Sequence, residues 1–169
     1  MNVSWAKSSC PAKKTEFGYL AAIQLPENYK RELNANVVAQ TVHASTAIEG
    51  NTLTQKQVNE VLNGKPISAH AKEIKEVENY NQALQDIEKL GRQKNFAVSV
   101  QTIKDIHRTL LAGIKDEIAG KYRQKQVFVG DYLPPQYHQV PSLVGELVQW
   151  INDPQPERLP PILCAGIAH

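Results

Sequence analysis

Leu33, Val37, Val38, Thr41, Val42, Ser45 and Ile48 recur at steps of three and four residues. That spacing keeps side chains on one face of an α-helix. A helix is predicted over about residues 29–49, after turn chemistry at Pro26-Glu27-Asn28. Gly50 lies just past its end, because glycine tolerates the left-handed backbone that closes a helix C-terminus. Glu49 then falls in the last turn. A carboxylate there faces the negative end of the helix dipole, a mismatch of about 0.3–1 kcal/mol at an exposed site. It needs a cation from elsewhere. Ser45, four residues earlier, is expected to steady that carboxylate. The plainer alternative is a solvated glutamate beside a back-bonding serine.

The rest of the chain reads as further helices with one β segment. Residues 1–28 show no sustained period and read as an extended arm packed by Trp5, Phe17, Tyr19 and Leu20. Thr54-Gln55-Lys56-Gln57 has the pattern of a capping box, and Val58, Val61 and Leu62 give a short helix an apolar face before Gly64. A long amphipathic helix is predicted from about Ala69 to Leu90. Ile74, Val77, Tyr80, Leu84, Ile87 and Leu90 face inward, Lys72, Lys75, Glu78, Gln82 and Lys89 face solvent, and Gly91 stops the helix. Ser99 is placed to cap a helix over about residues 100–114, with Ile103, Ile106, Leu110 and Leu111 inward and His107 as a structural side chain.

Gly120-Lys121-Tyr122-Arg123 breaks the helical period. Residues 124–129 alternate loosely, Gly130 to Pro135 turn the chain, and residues 136–140 return, which predicts a β-hairpin flap over about residues 124–140. Such an exposed edge accepts an extended peptide as an added strand; a purely structural hairpin is the even alternative. Pro141 starts a helix to about Asn152, and Pro160-Pro161 starts a last one over residues 162–169.

Composition narrows the function classes. Of 169 residues, 41% are hydrophobic and 21% charged, which is ordinary for a folded domain. The net charge of +2 arises from 19 basic and 17 acidic residues spread along the chain. Without a basic cluster or a basic recognition helix, no nucleic-acid partner is expected, and a helical DNA-binding regulator ranks low. No secretory leader or membrane span is read, so a cytoplasmic protein is expected. Cys10 and Cys164 read as incidental thiols. The histidines show no metal-binding spacing, and no metal site is predicted.

Ser45-x-x-x-Glu49-Gly50 resembles the [Ser/Thr]-x-x-x-Glu-[Gly/Asn] inhibitory motif of Fic-domain proteins. Later segments agree in order: Ile103-x-x-Ile106-His107-x-x-Leu110, Gly120-Lys121-Tyr122-Arg123, Pro134-Pro135, Val140-Pro141 and Leu147-x-x-Trp150-Ile151. The resemblance implies a mostly α, Fic-like helical bundle with one β-hairpin flap, incomplete at its C-terminus. Residues 1–98 would carry the arm and inhibitory helix, and residues 99–169 the N-terminal part of the Fic core. The family transfers AMP from ATP to protein hydroxyls, and its motif glutamate pairs with an arginine of the nucleotide site. By that resemblance Ser45, Glu49 and Gly50 form the inhibitory motif. Val127, Phe128, Val129, Gly130, Pro134 and Pro135 form the flap that docks a target protein.

The family signature His-x-Phe-x-[Asp/Glu]-Gly-Asn-Gly-Arg-x-x-Arg appears nowhere in these residues. It supplies the base, the Mg²⁺ ligand and the phosphate cradle. No catalytic residue is therefore assigned, and neither His107 nor His169 is promoted to the role. ATP and Mg²⁺ are expected for a full-length relative, with none bound tightly by this chain. A non-catalytic module that docks partners through the flap is the alternative, and a homo-oligomer is left open.

Overall fold

The structure, a computed structural model, describes residues 26–153 and 164–166. Five helices are bounded within them: α1 Glu27–Ile48, α2 Gln55–Leu62, α3 Ala71–Gly91, α4 Val100–Leu111 and α5 Val140–Asn152. The expected arm up to residue 25 lies outside the described residues. So does the predicted last helix, apart from helical residues 164–166. Glu27 and Asn28, read as turn residues, form the first turn of α1, with Pro26 at its N-cap.

The core lies where α1, α2 and α3 meet. Val42, Leu53, Val58 and Val77 are buried together, with Val38, Val61, Leu62, Ile67, Tyr80 and Leu84 packed around them. α1 buries only part of the set its apolar spacing suggested: Val38 and Val42 face the core, whereas Leu33, Val37, Thr41 and Ile48 do not. Ala39, Val42 and Thr46 are buried, whereas Leu33, Val37 and Ile48 are exposed. At 100° per residue these two sets lie on opposite sides of the helix. The apolar residues of α1 run nearly all round it, so only the docked partner selects a face.

Two helix starts follow their sequence signals. Gln57 N donates to Thr54 Oγ1 at 3.3 Å and Thr54 N donates to Gln57 Oε1 at 2.9 Å, a reciprocal capping box on α2. Ser99 and Thr102 make the same exchange at the start of α4. The ends differ more. Gly91 does not stop α3 but is its last residue, the cap being Arg92 in ordinary helical conformation. α4 ends at Leu111, three residues earlier than predicted. There Asn79 of α3, itself buried, donates to Leu110 O at 3.1 Å and Ala112 O at 2.8 Å. It thereby satisfies carbonyls that a helix end leaves without partners. The charged side of α3 is solvated as expected, with surface pairs such as Lys75–Glu78 and Lys89–Asp86 that contribute little.

The hairpin is much smaller than predicted. Val129 and Tyr132 form an isolated antiparallel bridge, Val129 N donating to Tyr132 O at 3.1 Å and Tyr132 N to Val129 O at 3.0 Å. Residues 136–139 do not return as a strand, and Val140 already belongs to α5. Pro134 and Pro135 lack the N–H groups that a ladder requires, so pairing stops beside the turn.

Candidate functional site

The motif segment occupies the C-terminus of α1 and its exit. Glu49 is the C-cap residue, with φ −82° and ψ 3°. Gly50 follows at φ +91°, the left-handed conformation expected of it. Gly50 N donates to Ala47 O and Asn51 N to Thr46 O, both at 3.0 Å. This pair of bonds is the Schellman closure of a helix. Glu49 is exposed, and among the described residues no side chain hydrogen-bonds or pairs with its carboxylate. The unfavourable dipole end inferred from sequence is thus left uncompensated.

Ser45 does not steady Glu49. Its Oγ accepts a 2.8 Å bond from the Tyr80 hydroxyl of α3. Tyr80 packs against the core by its ring, and its half-buried hydroxyl takes the partner within reach. Thr46 is the residue that back-bonds, its Oγ1 donating to Val42 O at 2.9 Å.

The exit of α1 is held by a buried asparagine. Asn51 is 7% exposed. Its Nδ2 donates to Glu73 O at 3.0 Å and Glu76 Oε2 at 2.9 Å, and its Oδ1 accepts from Leu53 N at 3.1 Å. Thr52 follows with two donations to Glu73 Oε1, from its N–H at 2.9 Å and its hydroxyl at 2.6 Å. The Thr52 hydroxyl, then its N–H, holds the Glu73 carboxyl below the ordinary glutamate range. No local sequence signal marks Asn51 as an anchor, because its acceptors lie on α3.

Glu49 stands at the rim of a groove of about 510 Å³ between α1, α3 and the end of α4. Ile48, Lys72, Tyr80, His107 and Lys115 also line it. Ile48 is 85% exposed, an apolar side chain turned out of its own core. Lys72 lies 3.5 Å from Glu76. His107 accepts at Nδ1 from Gly120 N at 3.0 Å, so this nitrogen serves the backbone turn. Gly120 has φ +71°, and a Cβ there would meet Arg108 Nη2 at 2.9 Å and Lys104 O at 3.0 Å. Only glycine fits at the head of Gly120-Lys121-Tyr122-Arg123.

The flap residues lie apart from this groove. Arg123 donates to Pro135 O, and Gln126 Nε2 donates to Pro134 O at 3.0 Å. Side chains thus replace the strand pairing that the prolines prevent. Phe128 is 72% exposed, and Val127, Val129, Tyr132 and Leu133 are also exposed. Gly130 lies in the turn between the bridged residues, and Pro134 and Pro135 follow it. Among the described residues, no three His, Cys, Asp or Glu side chains gather as metal ligands. No described helix is long and apolar enough to cross a membrane.

A mostly helical chain with almost no strand among its described residues matches the helical fold of Fic family structures. A crystal structure of a Fic family protein from Desulfovibrio desulfuricans G20 superposes with a TM-score of 0.74 at 27% identity, over 97% of this chain and 51% of that one. Residues 97–169 match the Fic/DOC family, and the chain is a Fic-domain protein. The protein adenylyltransferase Fic of Nematostella vectensis is 32% identical over 136 residues, covering 77% of this chain and 31% of that protein. Its counterpart in Drosophila mojavensis is 29% identical over 156 residues, covering 89% of this chain and 30% of its own length. The chain therefore spans about a third of the length of these relatives.

Proposed function

We propose that this chain is the brake-bearing and target-docking part of a Fic-type protein adenylyltransferase, which moves AMP from ATP to a Ser, Thr or Tyr hydroxyl. Glu49 is the internal brake. The observation that carries the reading is its carboxylate at the rim of the groove, without a partner among the described residues. An arginine of the nucleotide site brought there would be held by a charge-assisted bond and kept from the nucleotide's terminal phosphate. The flap around Phe128 receives the target segment, and the protein works in the cytoplasm.

The residues present do not fit Mg²⁺ or ATP by themselves. The described carboxylates do not converge on one point, and the Gly-rich signature is not among the 169 residues. As given, the chain is inactive, and no catalytic step is assigned to its side chains. The alternative, a non-catalytic docking module, is favoured by one feature, the exposed apolar tip at Phe128, Val129, Tyr132 and Leu133.

The test is transfer of label from ATP carrying ³²P at the α-phosphate. It compares the 169-residue chain with the product of its reading frame continued past the His169 codon. The short chain should transfer nothing. The longer product should transfer AMP slowly, and Glu49→Gly in it should raise transfer and self-modification. An unchanged rate on Glu49→Gly would remove the brake. A frame that stops at His169, with no transfer, would leave the docking module as the reading.

A further inference from the structure

The segment around Glu49 is fastened to α3 at points on both sides of it, while Glu49 itself is fastened to nothing among the described residues. Before it, Ser45 accepts from Tyr80. After it, Asn51 donates to Glu73 O and Glu76 Oε2, and Thr52 donates twice to Glu73 Oε1. Glu73, Glu76 and Tyr80 are separated by three and four residues, so they form one polar stripe along α3.

The middle of this arrangement demands an asparagine. Both Nδ2 hydrogens meet acceptors and Oδ1 meets the Leu53 N–H. Aspartate would set a carboxylate against that of Glu76, and alanine would strand buried groups. Helix ends fray, and a carboxylate at the wrong end of the dipole gives this one no help in staying closed. The restraint comes from the neighbouring helix.

We propose that the Glu73–Glu76–Tyr80 stripe is a latch that sets the position and direction of Glu49, with Asn51 as its central positioning residue. The regulatory meaning of the latch rests on the reading of Glu49 as a brake. It holds the backbone on both sides of Glu49 in register without engaging the carboxylate, which is thereby left to meet a cation. Release of the latch lets the last turn of α1 open, and the brake loses its aim without losing its charge.

The experiment is amide hydrogen exchange on the 169-residue chain. The Gly50 and residue-51 amides, bonded to Ala47 O and Thr46 O, report the end of α1. The Val58 amide, bonded to Thr54 O, reports α2. Asn51→Ala should speed exchange at the first two by about ten-fold and leave Val58 unchanged. Tyr80→Phe keeps the ring in the core and should give a smaller rise at the same two amides. Asn51→Asp should behave like Asn51→Ala. Adding Glu76→Gln should restore most of the protection, because the new amide can donate to the aspartate.

Equal acceleration at Val58 in every variant would make these residues general stabilisers and overturn the latch. So would unchanged exchange at Gly50, or no rescue by Glu76→Gln. If Asn51→Ala does not fold, Tyr80→Phe and the rescue pair decide the question. Exchange is indifferent to whether Glu49 inhibits anything. Failure of the brake reading registers separately, in the AMP-transfer comparison of Glu49→Gly.

Discussion

Replacing Asn79 by alanine should be among the most damaging single changes on α3, although nothing about Asn79 concerns the motif. Its amide bridges two carbonyls at the end of α4, Leu110 O and Ala112 O. Two hydrogen bonds at about 1 kcal/mol each give roughly 2 kcal/mol, and stranded buried acceptors add about 1–3 kcal/mol each when water is shut out. Leu110 and Ala112 are only half-buried, so water recovers most of the second part. The expected loss is about 2–3 kcal/mol, which leaves a domain of ordinary stability folded. In urea, followed by far-ultraviolet circular dichroism, the midpoint should fall by about 1–2 M with the slope unchanged. Asn79→Asp should cost more at neutral pH, because a carboxylate would face two carbonyl oxygens without a proton to donate. A midpoint shift under about 0.3 M for Asn79→Ala would refute the claim that this side chain joins α3 to α4.

Gly50→Ala should cost about 1–2 kcal/mol, seen as a lowered Tm; the strain is purely backbone, since a Cβ there would meet nothing within 4 Å. Val77→Ala removes two methyl groups from a fully buried side chain and should cost about 2 kcal/mol in the same urea assay. Phe128→Ala should leave stability within about 0.5 kcal/mol, since the ring is 72% exposed; a larger loss would show that the flap tip packs on the body. Glu73 is held below its ordinary value of 4.5 by the Thr52 hydroxyl and then the Thr52 N–H. A lowered folded-state value means that its contribution is complete above the ordinary carboxylate range and is lost as pH falls through the lowered value. Thr52→Ala should therefore move the Glu73 titration, followed by its carboxyl ¹³C shift, upward; an unmoved titration would contradict the tether.

Much of the fold was legible because its signals are local. The capping box at Thr54, the cap at Ser99, the glycine after Glu49 and the inward placement of Val77, Tyr80 and Leu84 on α3 all depend on neighbours a few residues away, whereas Ile87, read as inward, is exposed. The flap was visible in position but not in extent, since proline bracing by Arg123 and Gln126 acts across ten residues or so of intervening chain. The Fic resemblance likewise rested on short segments in a fixed order.

What the sequence alone determined, then, is where helices begin, where Gly50 closes α1, and that Glu49 sits at the end of that helix. Only the tertiary structure decided which side of α1 is buried, that Ser45 belongs to Tyr80, and that Asn51 and Asn79 are buried anchors. The physical reason is range. Caps and turns are satisfied within one turn of chain, whereas a buried asparagine is identified only by acceptors on another helix, more than twenty residues away in sequence.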